Sequence, residues 1–311
     1  MAPQQLVYVH GAGPQKPATV LKRELDMLLF GRSMSTTRIA HYASVRWPPG
    51  GPTGGGSTIA AAASGRERRT RAIRRSTDPT LSTEAAAEEI VTATLRGPAG
   101  TGAAPGVSTA EIRRARTLVR QLYRQADRIA SASATPTPGV ALGPTFPDPI
   151  FRFIVGKFAS DVIDYLYGPF RQQMQAPVFE AIRKSPRPKV IVAHSLGTII
   201  TYDVMTDPSL ASLKPELLVT IGCPLGIGNV QNRLRSGAGR PNPVPPALKA
   251  WRNFADRWDP VALDQTLRDE FDPPKNFATD AQVNNPARDN HELLGYLSVA
   301  IVHDTIVAAA G

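Results

Sequence analysis

The chain has 311 residues, 42% of them hydrophobic, a formal net charge of +10 and one cysteine, Cys223. That is enough apolar material for one large α/β domain or two ordinary ones, and it excludes wholesale disorder. A single thiol excludes an intrachain disulfide framework and a multi-thiolate metal site, and it fits a reducing compartment. The positive excess comes far more from arginine than from lysine. It suits anionic lipid, nucleic acid or an acidic substrate as a partner, and equally an arginine-rich source composition with no such partner.

The opening MAPQQLVYVHGAG carries no basic stretch and no long apolar run, so no secretory signal is expected. No apolar run approaches the roughly 20 residues that span a bilayer. The expectation is a soluble, cytoplasmic protein. Gln5–Gly11 is β-branched and apolar, ends at glycine and predicts a buried strand. Ala18–Phe30 predicts an amphipathic helix, and Thr37–Trp47 a second strand. Pro48–Thr58, PPGGPTGGGST, predicts a flexible loop.

From there to about Phe146 the composition turns to Ala, Thr, Gly and Arg, with two helices expected. The second, Thr109–Ala130, puts Ile112, Ala115, Leu118, Val119, Leu122, Ala126 and Ile129 on one face and arginines on the other. A Pro-rich linker, TPTPGVALGPTFPDP, closes the region. The α/β rhythm then resumes. Helices are expected over Phe151–Leu166 and Pro177–Ser185, a strand over Lys189–Ser195, and a helix over Leu196–Met205. Strands follow over Glu216–Pro224 and Leu248–Asp256, with a weak one over Asp280–Asn285. A single helix is expected from His291 to Ala309. Alternating strands and helices imply a mostly parallel central sheet flanked by helices. The division is a core of residues 1–47 and 147–311 with a helical insertion of residues 48–146. No fixed-period repeat is present.

The stretch KVIVAHSLGTIITYDV, Lys189–Val204, carries the chemistry. A strand that stops abruptly at a helix lifts one residue above the sheet edge, and the close approach needs small residues two before and two after it. Here these are Ala193 and Gly197 around Ser195, with His194 and Leu196 between. The alternative for Ser195 is an ordinary helix N-cap. As a nucleophile, Ser195 needs a base and the base needs an orienting acid. In this class of fold they follow in the order Ser, Asp or Glu, His. His10 and His41 precede Ser195 and His194 adjoins it. His291, on a loop entering a helix, is favoured over His303, which lies inside that helix. Asp259, followed by Pro260, is the expected acid, with Asp256 the runner-up and Asp264 also in the segment. Asp203, on the helix after the serine, reads as packing or surface.

The other oxyanion donor belongs on an early strand's loop. His10-Gly11-Ala12-Gly13 supplies it, so the backbone N–H groups of Ala12 and Leu196 are the expected pair. A dinucleotide loop is the competing reading. It needs a third glycine where Lys16 stands, Pro14 intrudes, and no Walker-type loop is present. No cofactor and no metal are expected.

The motifs VHGAG, AHSLGTIITYDV, LLVTIGCPLGI, WRNFADRWDPVA and NHELLGYL, in that order, make the sequence similar to the α/β-hydrolase superfamily, more narrowly its bacterial serine esterase/lipase-like members. The likeness covers roughly residues 4–47 and 150–308. It implies Ser195 as nucleophile, Asp259 as acid, His291 as base, and the amides of Ala12 and Leu196 as oxyanion hole. His10, Gly11, His194 and Gly197 would shape the site, and the insertion would be a lid or cap. The pattern departs at Ala193, where the family has glycine. Cys223 in GCPLG reads as a small buried residue.

The expected function is hydrolysis of a carboxylic ester, small-molecule or lipid, through an acyl-enzyme. Acyl transfer and thioester or amide hydrolysis are the alternatives on the same fold, and a non-catalytic lipid- or protein-binding module is the remaining one. The basic run Arg66–Arg75 and the basic helix would either lie on anionic membrane or pack on their own domain with a solvated charged face. Nucleic acid is not expected, because aromatic interleaving is missing. The sequence leaves the oligomeric state open.

Overall fold

The structure is a computed structural model that describes residues 5–47, 56–96, 102–134, 148–185, 189–234, 242–272 and 277–311. In chain order the elements are β1 (Gln5–Val9), α1 (Ala18–Phe30), β2 (Thr37–Ala40), α2 (Ala43–Arg46), α3 (Gly56–Arg75), α4 (Thr83–Leu95), α5 (Thr109–Ala134) and α6 (Asp148–Tyr167). They continue with α7 (Arg171–Arg183), β3 (Lys189–His194), α8 (Leu196–Met205), β4 (Leu217–Ile221), α9 (Gly228–Leu234), β5 (Asn242–Pro243) and β6 (Trp251–Asp256). The last are β7 (Phe271–Asp272), β8 (Phe277–Val283), α10 (Leu293–Leu297) and α11 (Ala300–Ala310). The chain forms two compact units, one of Met1–Tyr42 with Gln173–Gly311 and one of Ala43–Gln172.

The first unit is an α/β fold around a six-stranded sheet in the order β2-β1-β3-β4-β6-β8, every neighbouring pair parallel. Parallel strands are buried on both faces, which explains their unbroken apolar runs. Leu6 and Tyr8 of β1, Val190 and Val192 of β3, and Leu217, Val219 and Ile221 of β4 join one core. Leu25 and Leu29 of α1, Tyr296 and Leu297 of α10, and Val302 and Ile306 of α11 complete it. The alternate residues Val7, Val9, Ile191 and Ala193 are equally buried, and α8 runs back against β1 and β3. Full burial of each large aliphatic side chain contributes about 1.5–3 kcal/mol.

The chain leaves β1 toward β2 on one side and returns to β3 on the other. The direction of winding therefore reverses between β1 and β3. In open parallel sheets, the crevice at the carboxyl ends of two such strands is where ligands bind.

In the second unit α4, α5 and α6 pack on one another. Of the face expected on α5, Ala115, Leu118, Val119, Leu122, Ala126 and Ile129 are buried, joined by Tyr123 and Ala130. That apolar face is taken up inside its own unit. Arg152 ties the helices together, with its Nε 3.1 Å from Asp127 Oδ1 and its Nη1 donating to the Leu81 carbonyl at 2.9 Å. Two residues of the basic run, Arg66 and Arg69, sit over the Trp47 ring at 5.8 and 5.7 Å. Among the described residues no helix is long and apolar enough to cross a membrane.

Several elements differ from the sequence expectation. The second strand stops at Ala40, and Ala43–Arg46 form one helical turn. Among its described residues, the stretch expected to hold two helices holds three, α3, α4 and α5. Of the loop expected over 48–58, residues 48–55 lie outside the described residues, and the last three open α3. The Pro-rich linker lies outside them too, apart from Asp148 and Pro149 at the start of α6. α6 belongs to the second unit, whereas the composition boundary leaves it with the α/β core. α7 starts at Arg171 and carries Pro177 inside it. The C-terminal helix is two helices, because Val299 adopts an extended conformation between them.

Candidate active site

The residues singled out in the sequence meet at the carboxyl ends of β1, β3, β4 and β6. Ser195 follows β3 directly, and its N–H donates to the Ile221 carbonyl at 3.0 Å, carrying the β3–β4 ladder one step further. Its backbone then turns sharply, with φ 54° and ψ −127°, before α8 begins at Leu196. A residue with a β-carbon rarely adopts that conformation, and the surrounding structure must hold it there. The turn closes because Gly197 has no side chain. A β-carbon there would lie 2.4 Å from the His10 carbonyl oxygen and 2.7 Å from that of Val9. Ala193 is fully buried, so the methyl group in place of a hydrogen is accommodated.

His291 stands on the loop between β8 and α10, with its Nε2 2.9 Å from Ser195 Oγ. Its Nδ1 lies 2.8 Å from Asp259 Oδ2 and 2.9 Å from Oδ1. A carboxylate accepts only, so Nδ1 carries the proton and Nε2 is left to accept from the serine hydroxyl. The Asp259 side chain is fully buried and that of His291 is 12% exposed. Ser195 is 1% exposed.

Asp259 sits on the loop after β6. Burial alone would raise its carboxyl. The His291 charge and hydrogen bond, the Val261 N–H at 2.8 Å and the Tyr296 hydroxyl at 2.7 Å outweigh this and hold it below the usual carboxylate range. The Ala262 N–H adds a further bond at 3.2 Å.

Gly222, at the end of β4, lies against the same pair. A β-carbon there would stand 2.9 Å from Asp259 Oδ2 and 3.1 Å from His291 Nδ1, and its φ of 55° suits glycine.

The runner-up Asp256 does not reach His291 by a hydrogen bond. Its Oδ2 accepts from the Asn285 N–H at 2.5 Å and from Asn290 Nδ2 at 3.4 Å, and its Oδ1 from the Trp258 N–H at 2.7 Å. It therefore fastens the end of β6 to the loop that carries His291. Asn290, just before His291, adopts φ 52°, a region asparagine tolerates better than most residues. Asn285 Nδ2 donates to the Glu292 carbonyl at 3.1 Å, holding the far side of that loop.

Two further histidines border the site, both held neutral. His194 Nε2 lies 2.8 Å from the His291 carbonyl oxygen, so that nitrogen donates, and the two rings are 4.8 Å apart. Burial first, then the His291 charge, brings its pKa down to about 3. His10 donates from Nδ1 to the Gly11 carbonyl at 2.8 Å, accepts from the Tyr42 N–H at Nε2 at 3.1 Å, and stacks on the Tyr42 ring at 4.1 Å. Burial lowers its pKa to about 3 as well. Tyr42 Oη donates toward the carbonyls of His10 and Gly11 at 2.8 and 2.9 Å. The loop after β1 is therefore fixed from both sides. A β-carbon on Gly11 would come 3.1 Å from Ser195 Cβ, so this loop passes close to the serine. The Leu196 N–H belongs to the first turn of α8, where a helix leaves its amides without intrahelical acceptors.

Cys223 is buried, 3.3 Å from Thr198 Oγ1, and burial pushes its thiol up to about 12, so it stays protonated. His303 lies on α11 beside Asp304. Gln175 Nε2 donates to Asp203 at 2.7 Å, and Asp264 caps its own loop through the Thr266 N–H. Among the described residues, no three His, Cys, Asp or Glu side chains group closely enough to hold a metal ion. Sequence reasoning missed Tyr296, Asn285, Asn290 and Tyr42. The paired asparagines of Asn284-Asn285 and the Asp-Asn before His291 were a turn signal that pointed to a built loop. Comparison with known proteins finds no matching family model, no matching curated protein and no matching solved structure.

Proposed function

We propose that this protein is a serine hydrolase of the α/β-hydrolase type that cleaves carboxylic esters. The observation that carries the reading is the continuous relay from Ser195 Oγ to His291 Nε2 at 2.9 Å and from His291 Nδ1 to Asp259 at 2.8 Å, mounted on a strained strand–helix turn. Ser195 Oγ attacks the ester carbonyl carbon while its proton passes to His291 Nε2. The amides of Ala12 and Leu196 hold the tetrahedral oxyanion. The C–O bond to the leaving alcohol then breaks, and that oxygen takes the proton from His291. Water, giving its proton to the same nitrogen, attacks the acyl carbon; the bond to Ser195 Oγ then breaks, that oxygen takes the proton back from His291, and the acid leaves. Asp259 stays ionised throughout and balances the imidazolium.

A positioned base contributes about 10²–10⁴-fold and one oxyanion donor about 10²–10³-fold. The test is Ser195→Ala assayed on p-nitrophenyl acyl esters, with fluorophosphonate labelling of the wild type. Labelling of Ser195 and loss of turnover in a folded variant are expected. Turnover retained by Ser195→Ala refutes the assignment. Alcohol, thioester and amide substrates run beside the esters separate hydrolysis from acyl transfer.

A further inference from the structure

The hydrogen bonds around Asp259 do not end with the loop that carries it. Tyr296, on α10, is fully buried, and its hydroxyl lies 2.7 Å from Asp259 Oδ2 and 2.9 Å from the backbone nitrogen of Asp256. The direction of both bonds is fixed by chemistry. The Asp256 N–H can only donate, so it donates to the phenol oxygen. The phenol has one hydrogen, and the carboxylate beside it can only accept.

We propose that Tyr296 is a positioning residue that sets how strongly Asp259 holds the protonated His291, by donating its phenol hydrogen to Oδ2, the nearer of the two carboxylate oxygens that face His291 Nδ1. The inference rests on the reading of Ser195, His291 and Asp259 as the catalytic groups. A phenol donating to Oδ2 draws charge from that oxygen and weakens its competing bond to the imidazolium. A charge-assisted bond of this kind is stronger than one between neutral groups. Three donors outside the relay, the Val261 and Ala262 amides and Tyr296, thus share the carboxylate with His291. The two amides are neighbours along the chain on Oδ1. Tyr296 is the one that comes from a separate element; its hydroxyl also accepts the Asp256 N–H, a bond that the phenylalanine variant loses and the fluorinated protein keeps. The other titratable groups facing the pair are Asp256 from the end of β6 and His194 from the end of β3. Asp289, on the His291 loop, accepts the backbone N–H of His291 and of Glu292.

The test uses Tyr296→Phe and site-specific replacement of Tyr296 by 3-fluorotyrosine, which keeps the hydroxyl and makes it a stronger donor. Two readouts are taken on each protein: the acid limb of the kcat/KM profile on a p-nitrophenyl ester, and the proton resonance of His291 Nδ1–H. In Tyr296→Phe the acid limb moves to higher pH by about half to one unit, three- to ten-fold in proton affinity, and the resonance moves downfield. In the fluorinated protein both move the opposite way. A fall in kcat with the limb and the resonance unmoved means that Tyr296 only fills space, and it overturns the inference. The fluorinated protein decides the matter if the phenylalanine variant fails to fold. If the wild type turns over no ester, the proposed function fails separately, and the Nδ1 resonance still decides this one.

Discussion

Two buried histidines border the site, and keeping them neutral makes the fold acid-sensitive in a window that can be calculated. An unfolded histidine titrates near 6.5, whereas His10 and His194 titrate at about 3 in the folded chain. Between these values the unfolded chain binds more protons, so stability rises with pH and is lost as pH falls from about 6.5 toward 3. Going from pH 7.5 to 5.0 costs about 2 kcal/mol for each histidine, about 4 kcal/mol together, against a total of about 5–15 kcal/mol for an ordinary domain.

The carboxylates beside them do not mimic this. Asp259, held below its ordinary value of 3.8, contributes stability that is lost only as pH falls through that value and below, under the pH 5.0 end of the measurement. Burial raises Asp256, so it favours the folded state as pH falls and offsets part of the loss. The decisive measurement is therefore a difference. Urea unfolding is followed at fixed ionic strength from pH 7.5 to 5.0 for the wild type and for His194→Gln. The variant should lose about one proton from the slope, about 1.4 kcal/mol per pH unit. The same slope in both proteins would refute the claim that His194 is held neutral.

Gly222→Ala should cost about 1–2 kcal/mol in stability, because an alanine must enter a left-handed conformation. It should also lower kcat/KM about 10²-fold, because the new methyl group displaces the Asp259–His291 pair. Urea unfolding and ester kinetics check the two separately. Gly197→Ala should lose about 1–3 kcal/mol or more, since its methyl group meets the backbone of β1 with no flexible side chain to yield. Fluorophosphonate labelling of that variant should fall in step with its unfolding midpoint.

What the sequence revealed divides along physical lines. α1, β3 and α8 were legible because apolar rhythm and bounding small residues agree there. The segment Tyr42–Trp47 reads as strand from its tyrosine, valine and tryptophan. One helical turn forms instead, and its Trp47 indole N–H donates to Asp161, far along the chain. The break at Val299 lies inside an unbroken apolar pattern, so periodicity runs straight through it. The strands β5 and β7, two residues each, are too short to carry any pattern. Within the site, the order of Ser195, Asp259 and His291 was readable in the chain. What separates Asp259 from Asp256 was not, because it depends on which carboxylate the loop of residues 285–291 claims. Tyr296 carried no signal either, since its role lies in a hydroxyl that meets an aspartate from another loop.

The backbone at Ser195 has a wider consequence. A non-glycine residue held in so sparsely populated a conformation costs about 1–3 kcal/mol, a sizeable part of a domain's net stability. Glycine would rest there at ease, but without a hydroxyl. At this one residue, what would most relax the chain is also what would disarm it, so durability and reactivity pull in opposite directions.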